Sequence, residues 1–144
     1  MRTERDALGT MALPEATLYG INTARALENF DLGQNPMNRS LIRAIVTVKK
    51  AAAITYRDKG LRDPEKGNAI IAACDRVLSG EYWDSFPVQA LQGGAGTSAN
   101  MNINEVIANL ALLELGHKPG EYQFLHPLDD VNRAAWRRRS IPWT

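Results

Sequence analysis

The sequence is short of most residues that announce a chemistry. It has one cysteine, Cys74, in 144 residues, which excludes an internal disulfide and any thiolate-built zinc site and fits a reducing compartment. A catalytic thiol needs a neighbouring base, and the only histidines are His117 and His126, so Cys74, on the apolar stripe of a predicted helix, reads as a core residue. Charge of one sign is lacking too. With 17 Lys+Arg against 16 Asp+Glu the net charge is +1, and no long-range field draws nucleic acid or an acidic membrane. No apolar run approaches a membrane span, and the start, MRTERDALGT, has charge without the hydrophobic stretch of a signal peptide. These absences predict a cytosolic protein with neither membrane nor nucleic acid among its partners.

What is present suits one domain with a real core: 44% of residues are hydrophobic and 23% charged. From Met1 to about Pro36 the pattern is irregular, broken by Pro14, Gly20, Gly33 and Pro36, which predicts an extended arm of short strands or turns pinned by Tyr19, Leu27 and Phe30. Residues 39–59 contain no Gly or Pro and place Leu41, Ile45, Val48 and Ala52 at helical spacing, a predicted core stripe ending at Gly60. Asp63 and Pro64 read as an N-cap and first-turn pair for a second helix, antiparallel to the first, with Ile70, Cys74, Val77 and Leu78 on one face and a stop at Gly80. The run Val88 to Leu91 suits a strand or a buried connector. A third helix starts near Thr97 or Ser98 and stops at Gly116, with a core stripe of Ile103, Ile107, Leu110 and Ala111 widened by Met101, Ala108, Leu112 and Leu115.

That third helix carries four asparagines within ten residues, Asn100, Asn102, Asn104 and Asn109. Each costs up to roughly 0.7 kcal/mol of helix propensity relative to Ala, because its amide competes for backbone hydrogen bonds. Asn102, Glu105 and Asn109 share a face at spacings of three and four. The glycine-rich turn before the helix offers free backbone N–H groups and the positive end of a helix dipole, with the Thr97 and Ser98 hydroxyls beside it, a general anion site. A Walker loop is rejected because no Lys follows the glycines. Gly94, Gly96 and Ala99, with Glu114 at a suitable distance, match a dinucleotide fingerprint in form, but no strand precedes them. A small-carboxylate site in a helical protein remains, beside the plainer reading that Ser and Thr cap helices and glycine makes turns.

The whole string GGAGTSANMNINEVIAN, residues 93–109, resembles the first signature region of the aspartase/fumarase superfamily. LYGINTARALENF at 18–30 is similar to that family's amino-terminal arm, and VKKAAA with NAIIAACDRVL to its first two helices. Within the superfamily, GGAGTS and KPGEYQFLHP look more like the ammonia-eliminating branch than the fumarases. The resemblance covers residues 4–132. It implies a mainly α fold, the amino-terminal helical domain of the aspartase/fumarase fold with an irregular arm and without the central helical bundle.

The implied activity is reversible elimination of ammonia from a small dicarboxylate, L-aspartate, to give fumarate, with no metal or organic cofactor. A fumarase-type reaction on fumarate and L-malate, or a non-catalytic helical binding module, are the alternatives. The substrate-binding residues it implies are Thr97 first, then Ser98, Asn100 and Gly96, with Arg25 of the arm as a further candidate against the reading of an ordinary surface charge. HPLDD at 126–130 stands where relatives carry a second carboxylate-binding turn, but Leu128 replaces an Asn there, and His126, Asp129 and Asp130 read as exposed turn residues. Full-length members are homotetramers whose sites draw on three subunits. The pattern is lost in RAAWRRRSIPWT, so residues 1–132 read as the family's amino-terminal domain and 133–144 as a divergent tail left by truncation or frame shift. No residue of the family's catalytic serine loop is present, and the chain is expected to be inactive alone and unable to form the tetramer.

Overall fold

The computed structural model describes residues 1–31, 33, 35–91 and 96–133. The arm is more regular than its sequence suggests. It opens with an antiparallel hairpin, β1 (Arg2–Asp6) and β2 (Gly9–Leu13), in register from Arg2 opposite Leu13 to Asp6 opposite Gly9. The hairpin turn is closed by the Leu8 N–H donating to Asp6 Oδ1 at 2.9 Å. A short helix follows, α1 (Ile21–Asn29), which the sequence reading missed. Nine residues with no capping side chain of their own carry a weak helix signal. The cap comes from elsewhere in the chain.

Helices α2 (Arg39–Asp58) and α3 (Pro64–Leu78) begin at Asn38 and Asp63, whose side chains accept from the Ser40 and Glu65 backbone N–H groups. The two pack together, and α3 lies against α4 (Thr97–Glu114). The core runs through Ile42, Val46, Ile70, Cys74, Ile103 and Ile107. Cys74 is fully buried, and burial pushes its thiol up to about 12. Val88 is a buried connector whose carbonyl accepts from Met37 N–H at 3.3 Å, beside an isolated bridge of Pro36 opposite Gln89. The tail expected at 133–144 lies outside the described residues beyond Arg133, as do Gly93 and Gly94 of the turn. Among the described residues no helix is long and apolar enough to cross a membrane.

One predicted stripe is off by a residue. The face that α2 buries is Ile42, Val46, Lys49 and Ala53, whereas Leu41 and Val48 of the expected stripe are 51% and 59% exposed. The reason is Lys49. A charged side chain is rarely buried, so the apolar residues one position earlier have the sequence pattern of a core face.

Helix α4 is the centre of the fold, buried without interruption from Met101 to Leu112. Its polar residues tie down the irregular segments around it. The Glu105 carboxylate accepts from the backbone N–H groups of Gly20, Asn22 and Thr23 at 2.9, 2.9 and 3.2 Å, and from the Thr23 hydroxyl at 2.6 Å. It is the missing N-cap of α1. Burial pushes its carboxyl up, and these donors oppose the shift. Glu4 adds a second carboxylate, accepting from Ile21 N–H at 2.8 Å and from the Tyr122 hydroxyl at 3.1 Å. Gly20 is required where these groups converge: a Cβ there would lie 2.6 Å from Tyr122 Oη and 2.8 Å from Glu4 Oε2. Asn109 donates to the Leu18 carbonyl at 2.6 Å and accepts from Gly120 N–H at 2.8 Å, while Asn102 donates to the Ser85 carbonyl at 2.9 Å.

Glu105→Ala therefore strands three backbone N–H groups and a hydroxyl, at a cost of about 3 kcal/mol or more. The expected result in urea unfolding is a loss of that size, with hydrogen-exchange protection of residues 21–29 falling further than that of α3; equal loss in both helices would contradict the capping role.

Candidate functional site

The start of α4 is open. Gly96, the N-cap, has φ +77, a left-handed conformation that side-chain-bearing residues rarely adopt, and no side chain caps the helix. The Thr97 and Ser98 hydroxyls follow it, with Thr97 exposed and Ser98 partly exposed. One residue pair on, the Asn100 side chain turns inward to a group that sequence reasoning passed over.

That group is Lys49. Its side chain is 1% exposed, and its ammonium donates to Asn100 Oδ1 at 2.9 Å and to Asn132 Oδ1 at 3.2 Å. Asn100 Nδ2 in turn donates to Asn132 Oδ1 at 3.2 Å, closing a triangle between α2, α4 and the residue that ends Pro127–Val131, a single π-helical turn where the sequence suggested no helix. Both acceptors are neutral amides, and among the described residues no carboxylate pairs with the ammonium. Burial pushes it down to about 8, opposed by the neighbouring Cys74. A buried cation without a counter-ion beside a helix N-terminus makes a region of positive potential matched to a carboxylate or a phosphate. The signal for Lys49 in the sequence was its position in the series 42, 46, 49, 53, which is helical in spacing but mixed in character.

The turn is itself well fixed. His126 Nδ1 accepts from the Leu128 and Asp129 N–H groups at 3.1 and 3.3 Å, and Asp130 accepts from His126 N–H at 2.8 Å. Arg62, buried on α3's approach, donates to the Asp130 carbonyl, and Lys66 stands 3.6 Å from the Asp130 carboxylate. Asp129 is exposed as read from sequence, whereas His126 and Asp130 are partly buried and engaged.

Of the residues singled out in the sequence, Gly96, Thr97, Ser98 and Asn100 come together at this helix start. Arg25 does not join the Lys49 triangle. Its guanidinium is forked on Asp6 of the hairpin at 2.6 and 3.0 Å, a pairing that holds the Asp6 carboxyl below its ordinary value. Glu114, the acidic residue of the formal dinucleotide fingerprint, lies at the far end of α4, and the described residues contain a single two-stranded antiparallel sheet. Among the described residues no βαβ unit precedes Gly96.

A family model described as Lyase matches residues 9–138. The chain belongs to this lyase family. Within it, the chain is similar to the aspartate ammonia-lyases of Corynebacterium glutamicum, Escherichia coli K12 and Helicobacter pylori, at 47%, 48% and 49% identity over 98–99% of its length. It spans only 27%, 30% and 31% of those relatives. Its backbone matches the crystal structure of a fumarate lyase:delta crystallin from Brucella melitensis with a TM-score of 0.89 at 48% identity, covering 92% of this chain and 30% of that one. A class II fumarase from Schistosoma mansoni follows with a TM-score of 0.84 at 34% identity, covering 91% of this chain and 28% of that one. The fold is thus a partial aspartase/fumarase domain, as the lyase motifs implied.

The Lys49 shift has a definite sign. Between about pH 8 and its ordinary 10.5 the unfolded chain holds the proton and the folded chain does not, so this group makes stability rise with pH across that window. At neutral pH its buried charge costs about 3 kcal/mol. Cys74, whose thiol ionises near 12 in the fold, acts in the opposite direction above about pH 9. The expected signature is therefore a difference: Lys49→Met raises unfolding free energy by about 2 kcal/mol at pH 7 and by progressively less as pH approaches 10.5. A gain independent of pH, or a loss at pH 7, would contradict the assignment.

Proposed function

We propose that this chain forms one wall of the substrate site of an aspartate ammonia-lyase, the start of α4 binding one carboxylate of L-aspartate or fumarate. The observation that carries the reading is the uncapped, glycine-led helix start with Thr97, Ser98 and Asn100 against a buried unpaired ammonium, in a lyase-family chain 47–49% identical to proteins named for that reaction. Ammonia elimination is favoured over water elimination because those identities exceed the 34% to the class II fumarase.

In the elimination a base removes the C3 proton of L-aspartate, the electron pair moves onto the adjacent carboxylate as an enediolate-like dianion, and the C–N bond then breaks to release ammonia. The dianion carries more charge than the substrate, so donors fixed around it lower the barrier more than they strengthen binding. Thr97 and Ser98 supply hydroxyl donors, and the helix dipole adds to them. Arg25 is a weaker candidate, because its guanidinium already serves Asp6. The base is not among these residues, and the 144 residues contain no Gly-Ser-Ser segment. The chain alone binds and does not turn over.

Purified protein assayed with L-aspartate, and in parallel with L-malate, is expected to release no fumarate, while fumarate raises its Tm in a concentration-dependent way. Thr97→Ala removes one donor to a charged group, about 1.5 kcal/mol or roughly tenfold in apparent affinity. Turnover by the chain, or a Tm response unchanged in Thr97→Ala and Ser98→Ala, would overturn the reading.

A further inference from the structure

Lys49 is the largest fully buried side chain described, and it lies in the middle of a helix face otherwise built of Ile42, Val46 and Ala53. Replacing such a charge with a hydrophobic residue of similar size usually leaves a protein as stable or more so. Its presence calls for a reason other than stability. The contacts supply one. An ammonium has three donors and no acceptor, so any side-chain amide it touches must turn its oxygen inward. Lys49 holds Asn100 Oδ1 at 2.9 Å and Asn132 Oδ1 at 3.2 Å, which fixes the flip of both amides at once. Asn100 then spends one N–H on Asn132 Oδ1 at 3.2 Å. The Asn132 NH2 makes no hydrogen bond to another described residue, and Asn132 is only partly buried.

We propose that Lys49 is a positioning residue, orienting the Asn100 and Asn132 amides so that N–H rather than C=O is offered to a carboxylate at the start of α4. The inference rests on the dicarboxylate reading above and adds two residues to it, one of them Asn132 at the end of the fixed 127–131 turn. Without the ammonium each amide is free to reverse, and a reversed amide presents a carbonyl that repels the anion. The lysine also joins three segments distant in sequence, α2, α4 and the turn, so the donor pair exists only when all three are packed. Cys74 on α3 is the titratable group that acts on Lys49, and its thiol is neutral through the working range because burial holds it up to about 12; α4 and the turn contribute only uncharged amides.

The test compares the native chain with Lys49→Met and Lys49→Gln by side-chain amide NMR without ligand, and by fumarate-dependent Tm shift across pH. The expected result for Lys49→Met is native circular dichroism and a higher Tm, with the Asn100 and Asn132 amide proton resonances shifted and exchanging faster with water. Its fumarate response weakens about tenfold and loses the decline that the native chain shows as pH rises past 8. Lys49→Gln, which keeps one donor, falls between the two and serves if the methionine variant does not fold. Unchanged amide resonances in both variants would overturn the positioning role, whatever fumarate does. Altered amides in a protein whose native form ignores fumarate would uphold the positioning role and defeat the dicarboxylate reading instead.

Discussion

The Glu105 carboxylate on the start of α1 is the interaction on which the arm depends. The hairpin is two strands and α1 is nine residues, and neither length is stable alone. What fixes them is polar. Arg2 reaches the carbonyls of Pro14, Glu15, Thr17 and Tyr19 at 2.7–3.0 Å, and pairs with Glu4 at 2.9 Å. Glu4 and Glu105 then divide the N–H groups at the start of α1 between them. Each buried charge is satisfied by donors that the other segment would otherwise leave unpaired, so removing one member strands several groups.

The asparagine content of α4 has the same logic, with a division along the helix. Asn102 and Asn109 are bolts whose amides hold the Ser85 and Leu18 carbonyls. Asn104 is buried with its amide nitrogen 3.6 Å from Met101 Sδ, a weak contact that does not explain a polar side chain in the core. Asn100, in the first turn, faces Lys49 and the open helix start instead. Placing helix propensity second to polar satisfaction is tolerable here because continuous burial from Met101 to Leu112 supplies the driving force.

Much of this was legible in sequence, for identifiable reasons. Helices α2, α3 and α4 were readable because their caps and stops are local: Asn38 and Asp63 precede the helix starts and Gly116 follows α4. Helix α1 was not, because its cap sits 82 or more residues away on Glu105. The face of α2 was misassigned by one residue because a buried lysine looks like a surface residue until its partners are known. The glycine-to-helix junction and Thr97, Ser98 and Asn100 were readable through the family's motif, whereas Lys49 and Asn132 belong to no contiguous motif and required the fold to bring them together.

Central to the proposed function is a division of α4's polar residues into site and scaffold. The most direct measurement is a fumarate titration followed on the resolved side-chain amide resonances of all the asparagines. The account predicts that Asn100 and Asn132 move with saturating, parallel curves while Asn102 and Asn109 stay fixed. Movement of Asn102 and Asn109 with Asn100 and Asn132 silent would contradict it.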